Sequence, residues 1–281
     1  MSQRLLVYQA IWAMEGVPGL DLDADMNPAL EMIAEAGFDG AGVNILRPAR
    51  AEPVARRAPE LGLTWEAMAA IRRPEEVVTL AGLASVMGAH HLNLQVLERT
   101  ADLAYAVGLL GDMQFAAEGA AIPVYFETHR GRLTNDLLFM MRVLDALPDL
   151  RLTGDLSHYP VVHEFPLPVP PEDQARMTRI LDHCWAFHGR ISGSHQVQVP
   201  IGAPQHQGWV EQFRAWWAQG LANWRARAPG DADLTFMCEL GPPNYALTDA
   251  EGRELSDRWA EAKTMMAMVR DLWTASPAAD A

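Results

Sequence analysis

Ile122-Pro123-Val124-Tyr125-Phe126-Glu127 leads into Thr128-His129-Arg130-Gly131-Arg132-Leu133, and the stretch resumes at Leu150-Arg151-Leu152-Thr153-Gly154-Asp155. Two short apolar runs, each ending on a carboxylate, flank a helical segment over 134–146. That is one β-α-β unit, the unit from which parallel sheets are built. Working outward, the pattern repeats along the whole chain. Strands are predicted over 4–10, 39–45, 63–69, 91–96, 122–127, 150–155, 184–190 and 234–239. Helices are predicted over 26–36, 50–61, 74–87, 101–119, 134–146, 172–182, 206–227 and 250–273, with a long Pro-rich loop running to Pro171. Eight strands alternating with eight helices predict an α/β fold, a (β/α)₈ TIM barrel. One domain spans 1–281, and its tail over 276–281 is expected to fray.

The bulk numbers exclude several functions. A length of 281 residues, with 49% hydrophobic and 21% charged residues, suits a single barrel of about 250 residues. A net charge of −14 argues against a nucleic-acid partner, which calls for a basic surface. The run Leu5-Leu6-Val7-Tyr8 is too short for a signal peptide or a membrane span. Lys263, in the last predicted helix, is the only lysine. A Schiff-base aldolase needs a lysine at the barrel mouth and a P-loop needs one after its glycines, so both drop out. Cys184 and Cys238 sit inside predicted strands and read as reduced core residues of a cytoplasmic protein.

Four strand ends carry the chemistry. Glu127 and Asp155 are joined by His188, in Trp185-Ala186-Phe187-His188, and by Glu239, in Leu234-Thr235-Phe236-Met237-Cys238-Glu239. Residues at the carboxyl ends of barrel strands converge on one mouth. Hard oxygens with one imidazole suit a catalytic divalent ion. His195, seven residues past His188 in a loop, is the rival imidazole ligand, or else a substrate contact. Arg190 shares the parity of His188 and is a candidate for holding substrate. His129 and Gln95, both near strand ends, join the candidate substrate-binding set, whereas Gln9 and Asn44 read as structural hydrogen bonders. Arg130 reads equally as a substrate clamp or a salt-bridge partner. Trp12 and Met14 are placed to wall a pocket, and His90-His91, at the opposite barrel end, reads as structural. Trp209, Trp216 and Trp224 share a helix face, which reads as core or as the seam of a homodimer or homotetramer.

At these residues the chain resembles the xylose-isomerase-like TIM-barrel superfamily, a group of sugar phosphate isomerases and epimerases. The resemblance is sharpest in Phe126-Glu127-Thr128-His129-Arg130-Gly131-Arg132-Leu133-Thr134, in Leu152-Thr153-Gly154-Asp155-Leu156-Ser157-His158, and in Phe187-His188-Gly189-Arg190-Ile191. It implies that Glu127, Asp155, His188 and Glu239 bind one divalent ion, Mn²⁺ foremost, with Mg²⁺, Co²⁺ and Zn²⁺ as alternatives. It also implies that His158 of the Asp-x-x-His pattern contacts substrate and that Gln198, in Gln198-Val199-Pro200, lines the pocket. The implied activity is isomerisation or epimerisation of a sugar or related hydroxy-ketone. Glu127 and Glu239 would exchange the proton through a cis-enediolate. A leaving group β to the carbonyl would turn the same start into a dehydratase or lyase acting on a keto-sugar, keto-cyclitol or C-glycoside. A non-catalytic sugar-binding barrel is the third reading. No phosphate nest stands out, so a small sugar or polyol-derived substrate without phosphate is expected. Nucleic acid and membrane are not expected partners. The apurinic-site endonucleases of the same superfamily need a basic face that this acidic chain lacks.

Overall fold

The structure, a computed structural model, describes residues 2–276. Of the tail expected to fray, 277–281 lie outside the described residues. Eight strands, β1 (Arg4–Ala10), β2 (Gly40–Asn44), β3 (Thr64–Ile71), β4 (His91–Val96), β5 (Val124–Glu127), β6 (Leu152–Asp155), β7 (Cys184–Gly189) and β8 (Asp233–Cys238), close into a barrel in chain order. All pairs are parallel, and β8 returns to β1. The connections carry α1 (Asn27–Glu35), α2 (Pro48–Glu60), α3 (Pro74–Val86), α4 (Leu103–Glu118), α5 (Leu137–Ala146), α6 (His158–Val162), α7 (Pro171–Asp182), α8 (Gln207–Arg227) and α9 (Arg258–Ala275). This is the expected (β/α)₈ barrel. No described helix is long and apolar enough to cross a membrane.

Local chemistry explains the boundaries. Proline occupies the first turn of α1, α2, α3 and α7, where its missing N–H costs nothing. Asp102, Asp136 and Asp257 cap α4, α5 and α9 by accepting from the backbone N–H of Tyr105, Phe139 and Ala260. Two predicted helices start well after the expected residue. Helix α5 begins at Leu137 rather than 134, because the Thr134 hydroxyl donates to the Glu127 carbonyl at 2.6 Å and stays in the loop. Helix α9 begins at Arg258 rather than 250. The preceding residues form a loop in which Thr248 bridges Glu254 and Gly252 sits at φ 79°. The short α6, inside the Pro-rich segment, has no counterpart in the sequence reading.

Strand register sorts the side chains. Tyr8 partners Met237, Met237 partners His188, and His188 partners Asp155. Partnered positions point the same way and every second residue shares a face, so these four face the barrel interior. The same parity carries Glu66, His91, Asn93, Tyr125, Glu127, Thr153 and Thr235 inward. A small apolar cluster of Tyr8, Ala10, Ala13, Met68 and Met237 fills part of that interior. The main core lies between strands and helices. Trp209, Trp216, Trp217 and Trp224 of α8 are buried there, so the tryptophan stripe is core within one chain. Trp217 meets Phe236 edge-on with ring centroids 5.1 Å apart.

Close approach of β1, β2 and β3 requires a glycine at position 40. A Cβ there would lie 2.5 Å from the Thr64 carbonyl oxygen and 2.5 Å from the Tyr8 ring. Gly40→Ala should therefore destabilise the barrel by about 1–3 kcal/mol and lower Tm by several degrees. An unchanged Tm in thermal denaturation would contradict this register.

Candidate active site at the barrel mouth

The carboxyl ends of the strands surround a cavity of about 360 Å³, lined among others by Trp12, Gln95, Glu127, Arg190, Glu239 and Tyr245. Glu127 ends β5, Asp155 ends β6, His188 lies one residue inside the end of β7, and Glu239 follows β8 directly. All four side chains are buried. His188 Nδ1 lies 3.3 Å from Glu239 Oε2 and 3.7 Å from Glu127 Oε2. Glu127, His188 and Glu239 offer potential ligand atoms within 4.8 Å of one another. Asp155 stands outside that group, its Oδ2 lying 3.3 Å from His158 Nε2 and 3.5 Å from Arg190 Nη1.

Each carboxylate has its own anchors. Glu127 accepts from Asn93 Nδ2 at 2.6 Å and from Gln95 Nε2 at 3.0 Å. Glu239 Oε1 accepts from the Trp12 indole N–H at 2.9 Å, and its Oε2 lies 3.1 Å from Arg190 Nη2. Asp155 Oδ1 accepts from the Ser157 backbone N–H and from its hydroxyl. Asp155 Oδ2 and Glu239 Oε2 meet Arg190 at ion-pair distance without a hydrogen bond, and His188 Nδ1 is likewise buried with no hydrogen-bond partner. Such orphans cost about 1–3 kcal/mol each when nothing satisfies them. Two carboxylate oxygens and an imidazole nitrogen are the donor set of a hard divalent cation, so the residues present fit one.

Burial and crowding set the titration. Burial, reinforced by the Glu239 and Asp155 charges and opposed by His188, pushes the Glu127 carboxyl up to about 7. Burial opposes charge on His188 too, but Glu66 and Glu239 outweigh it and hold the ring well above the usual histidine range. Asp155 goes the other way: burial is overcome by His158 and Arg190, which hold its carboxyl well below the usual range. His129 and His158 are lowered, chiefly by burial.

The structure sorts the remaining expected residues. Gln95 bridges Glu127 and Arg132 at the cavity wall, and Arg190 and His129 also line it. His158 is buried beside Asp155, its ring 4.0 Å from that of His129. His129, His158 and Glu127 form a second group with potential ligand atoms within 4.8 Å. His195 is exposed on the loop after β7 and joins neither group, whereas His188 stands in the first. Gln198 spends both ends of its amide on the Gly241 backbone, at 3.0 and 2.7 Å, and ties two loops together rather than lining the cavity. Trp12 walls the cavity, whereas Met14 is buried in the main core. Gln9 is buried and donates to the Ala10 carbonyl, while Asn44 lines the cavity and its Oδ1 accepts from the Leu46 backbone N–H.

Three contributors were missed in the sequence. Tyr245, on the loop after β8, packs against Trp12 and lies 4.8 Å under the Arg190 guanidinium. Asn93 is signalled only by its parity with Gln95. Glu66 is an acid in the middle of the apolar strand Thr64-Trp65-Glu66-Ala67-Met68, and that interruption was its one signal. It is fully buried, and its Oε1 lies 2.7 Å from His188 Nε2.

Arg190 stands between Asp155 and Glu239, so Arg190→Met should leave two buried carboxylates without that counter-charge and cost about 3–5 kcal/mol at pH 7. The depressed Asp155 contributes stability above its unfolded value of about 4 and loses it as pH falls through the folded value. The deficit of the variant should therefore be largest near neutrality and shrink below about pH 4. Urea denaturation at both pH values checks this; a deficit that does not depend on pH would contradict it.

No protein-family model matches the sequence, and no curated protein sequence matches it either. Solved structures do. A xylose isomerase-like TIM barrel protein from Mycobacterium smegmatis in complex with magnesium is 14% identical, with 98% of each chain covered and a TM-score of 0.61. A sugar phosphate isomerase/epimerase from Parabacteroides distasonis is 11% identical over 96% of this chain and 95% of that one, at a TM-score of 0.59. An AP endonuclease, family 2, from Brucella melitensis is 14% identical over 85% of this chain and 93% of that one, at 0.52. At such identities the likeness is one of fold, the closed (β/α)₈ barrel.

Proposed function

We propose that the chain is a cytoplasmic, divalent-metal-dependent isomerase or epimerase acting on a sugar or related hydroxy-ketone. The observation that carries this reading is the buried group of Glu127, His188 and Glu239, in which His188 Nδ1 and Glu239 Oε2 make no hydrogen bond, beside a cavity of about 360 Å³. Those three residues and Asp155 would hold the ion, with Mn²⁺ as the first choice. When bound, it would polarise a substrate carbonyl and so acidify the neighbouring C–H.

The protein's own groups account for the rest. Glu127, with its carboxyl near 7, is suited to taking and giving a proton at neutral pH. Asn93 and Gln95 fix its orientation, while Trp12 and Arg190 fix that of Glu239. Two differently anchored carboxylates can serve opposite faces of one carbon. Removal on one face with return on the other inverts that carbon. Return to the neighbouring carbon interconverts a ketose and an aldose. Arg190 and Arg132, which line the cavity, would supply N–H groups for substrate oxygens. Trp12 and Tyr245, 5.3 Å apart, form an aromatic wall that restricts water.

The test is solvent-proton exchange into a panel of ketopentoses and ketohexoses in D₂O with Mn²⁺. Wild type should place deuterium next to the carbonyl of at least one sugar, and EDTA should stop it. Glu239→Gln should slow exchange by about 10²–10⁴-fold while the fold is retained. Near-normal exchange in that variant, or indifference to chelation, would contradict the mechanism.

A further inference from the structure

The barrel interior beneath the mouth holds an ionic contact that the proposed chemistry does not use. Glu66 on β3 and His188 on β7 lie 122 residues apart in sequence and meet across the barrel, Oε1 to Nε2, at 2.7 Å. On its other oxygen Glu66 faces His91 of β4, with Oε2 3.0 Å from Nε2. All three side chains are 0% exposed. His91 is held in turn by His90, Nδ1 to Nδ1 at 3.1 Å. His188 is thus approached from below by a carboxylate whose other oxygen faces a third strand.

We propose that Glu66 is a positioning residue for the mouth, clamping the His188 ring so that Nδ1 is the atom presented to Glu127 and Glu239. A carboxylate only accepts hydrogen bonds, so the ring nitrogen facing it carries the hydrogen whatever the charge of the ring. Nε2 is therefore committed downward, and Nδ1 is left as the atom able to serve as a ligand. A second carboxylate behind a ligating imidazole fixes ring orientation and raises its basicity. Burial matters here: Glu66 and His188 are shut off from bulk solvent, and the ring cannot flip without breaking this contact. His91 stands against the second oxygen of Glu66, 3.0 Å away, and so limits the room in which the carboxylate could swing. This role rests on the reading of His188 as a metal ligand, and it has consequences that can be read without turnover.

The experiment measures Mn²⁺ affinity by calorimetry and the ring N–H protons by NMR, in wild type, Glu66→Gln and Glu66→Leu. Gln keeps the size and one acceptor oxygen, so that variant should fold even if the Leu variant does not. Wild type should show a slowly exchanging low-field proton on His188 Nε2, identified by its loss in His188→Asn. Glu66→Leu should lose that resonance. Glu66→Gln should bind Mn²⁺ about 10–100-fold more weakly with its circular dichroism unchanged. An affinity within threefold of wild type in folded Glu66→Gln would overturn the proposal, as would the absence of the protected Nε2 proton in wild type. Wild type that keeps this proton but binds no Mn²⁺ would refute the metal reading while upholding the clamp.

Discussion

Everything at the mouth depends on how charge is balanced inside a space that excludes water. Glu66, Glu127, Asp155 and Glu239 are all buried in or just above the barrel. The groups that meet them at ion-pair distance are Arg190 and the histidines His91, His158 and His188, with His188 central. Carboxylates cannot crowd together in low dielectric without either counter-charge or protons. Glu66 and Asp155 each have close partners and are held well below their ordinary range. Burial carries Glu127 up to about 7, because the His188 it faces at 3.7 Å is shared with Glu66 and Glu239. A divalent cation among Glu127, His188 and Glu239 would relieve that imbalance, which is why the donor set and the electrostatics point the same way.

The barrel supplies this arrangement through geometry rather than through loops. Strand register places Asp155 beside His188 and His188 beside Met237, and the two-residue period then sends Glu127 and Glu239 to the same side. Loops add the cover: Trp12 follows β1 and Tyr245 follows β8, and together they shelter Arg190. A rigid inner layer with a variable rim is how barrel enzymes keep a mechanism while changing substrate.

Much of this was legible in the sequence because strand ends break their own pattern. Glu127, Asp155, His188 and Glu239 each close an apolar run, and that abrupt change of polarity marks the mouth. Arg190 could be read from its parity with His188. What was not legible is what tertiary contact decides. Glu66 is in phase with the inward face, but only closure of the barrel brings it to His188. Tyr245 sits in the loop expected between the strand end at 239 and the helix start at 250, and loop residues carry no periodicity from which their direction could be read. His195 and Gln198 share one loop with no periodicity to orient them. Only the fold shows that one is exposed while the other is tied to Gly241.

The most direct test of the charge-balance account is a calorimetric Mn²⁺ titration at pH 7 in two buffers of different ionisation enthalpy. The account predicts one ion per chain, with net release of protons as the cation displaces them from the Glu127 and His188 cluster. No binding, or binding without proton release, would contradict it.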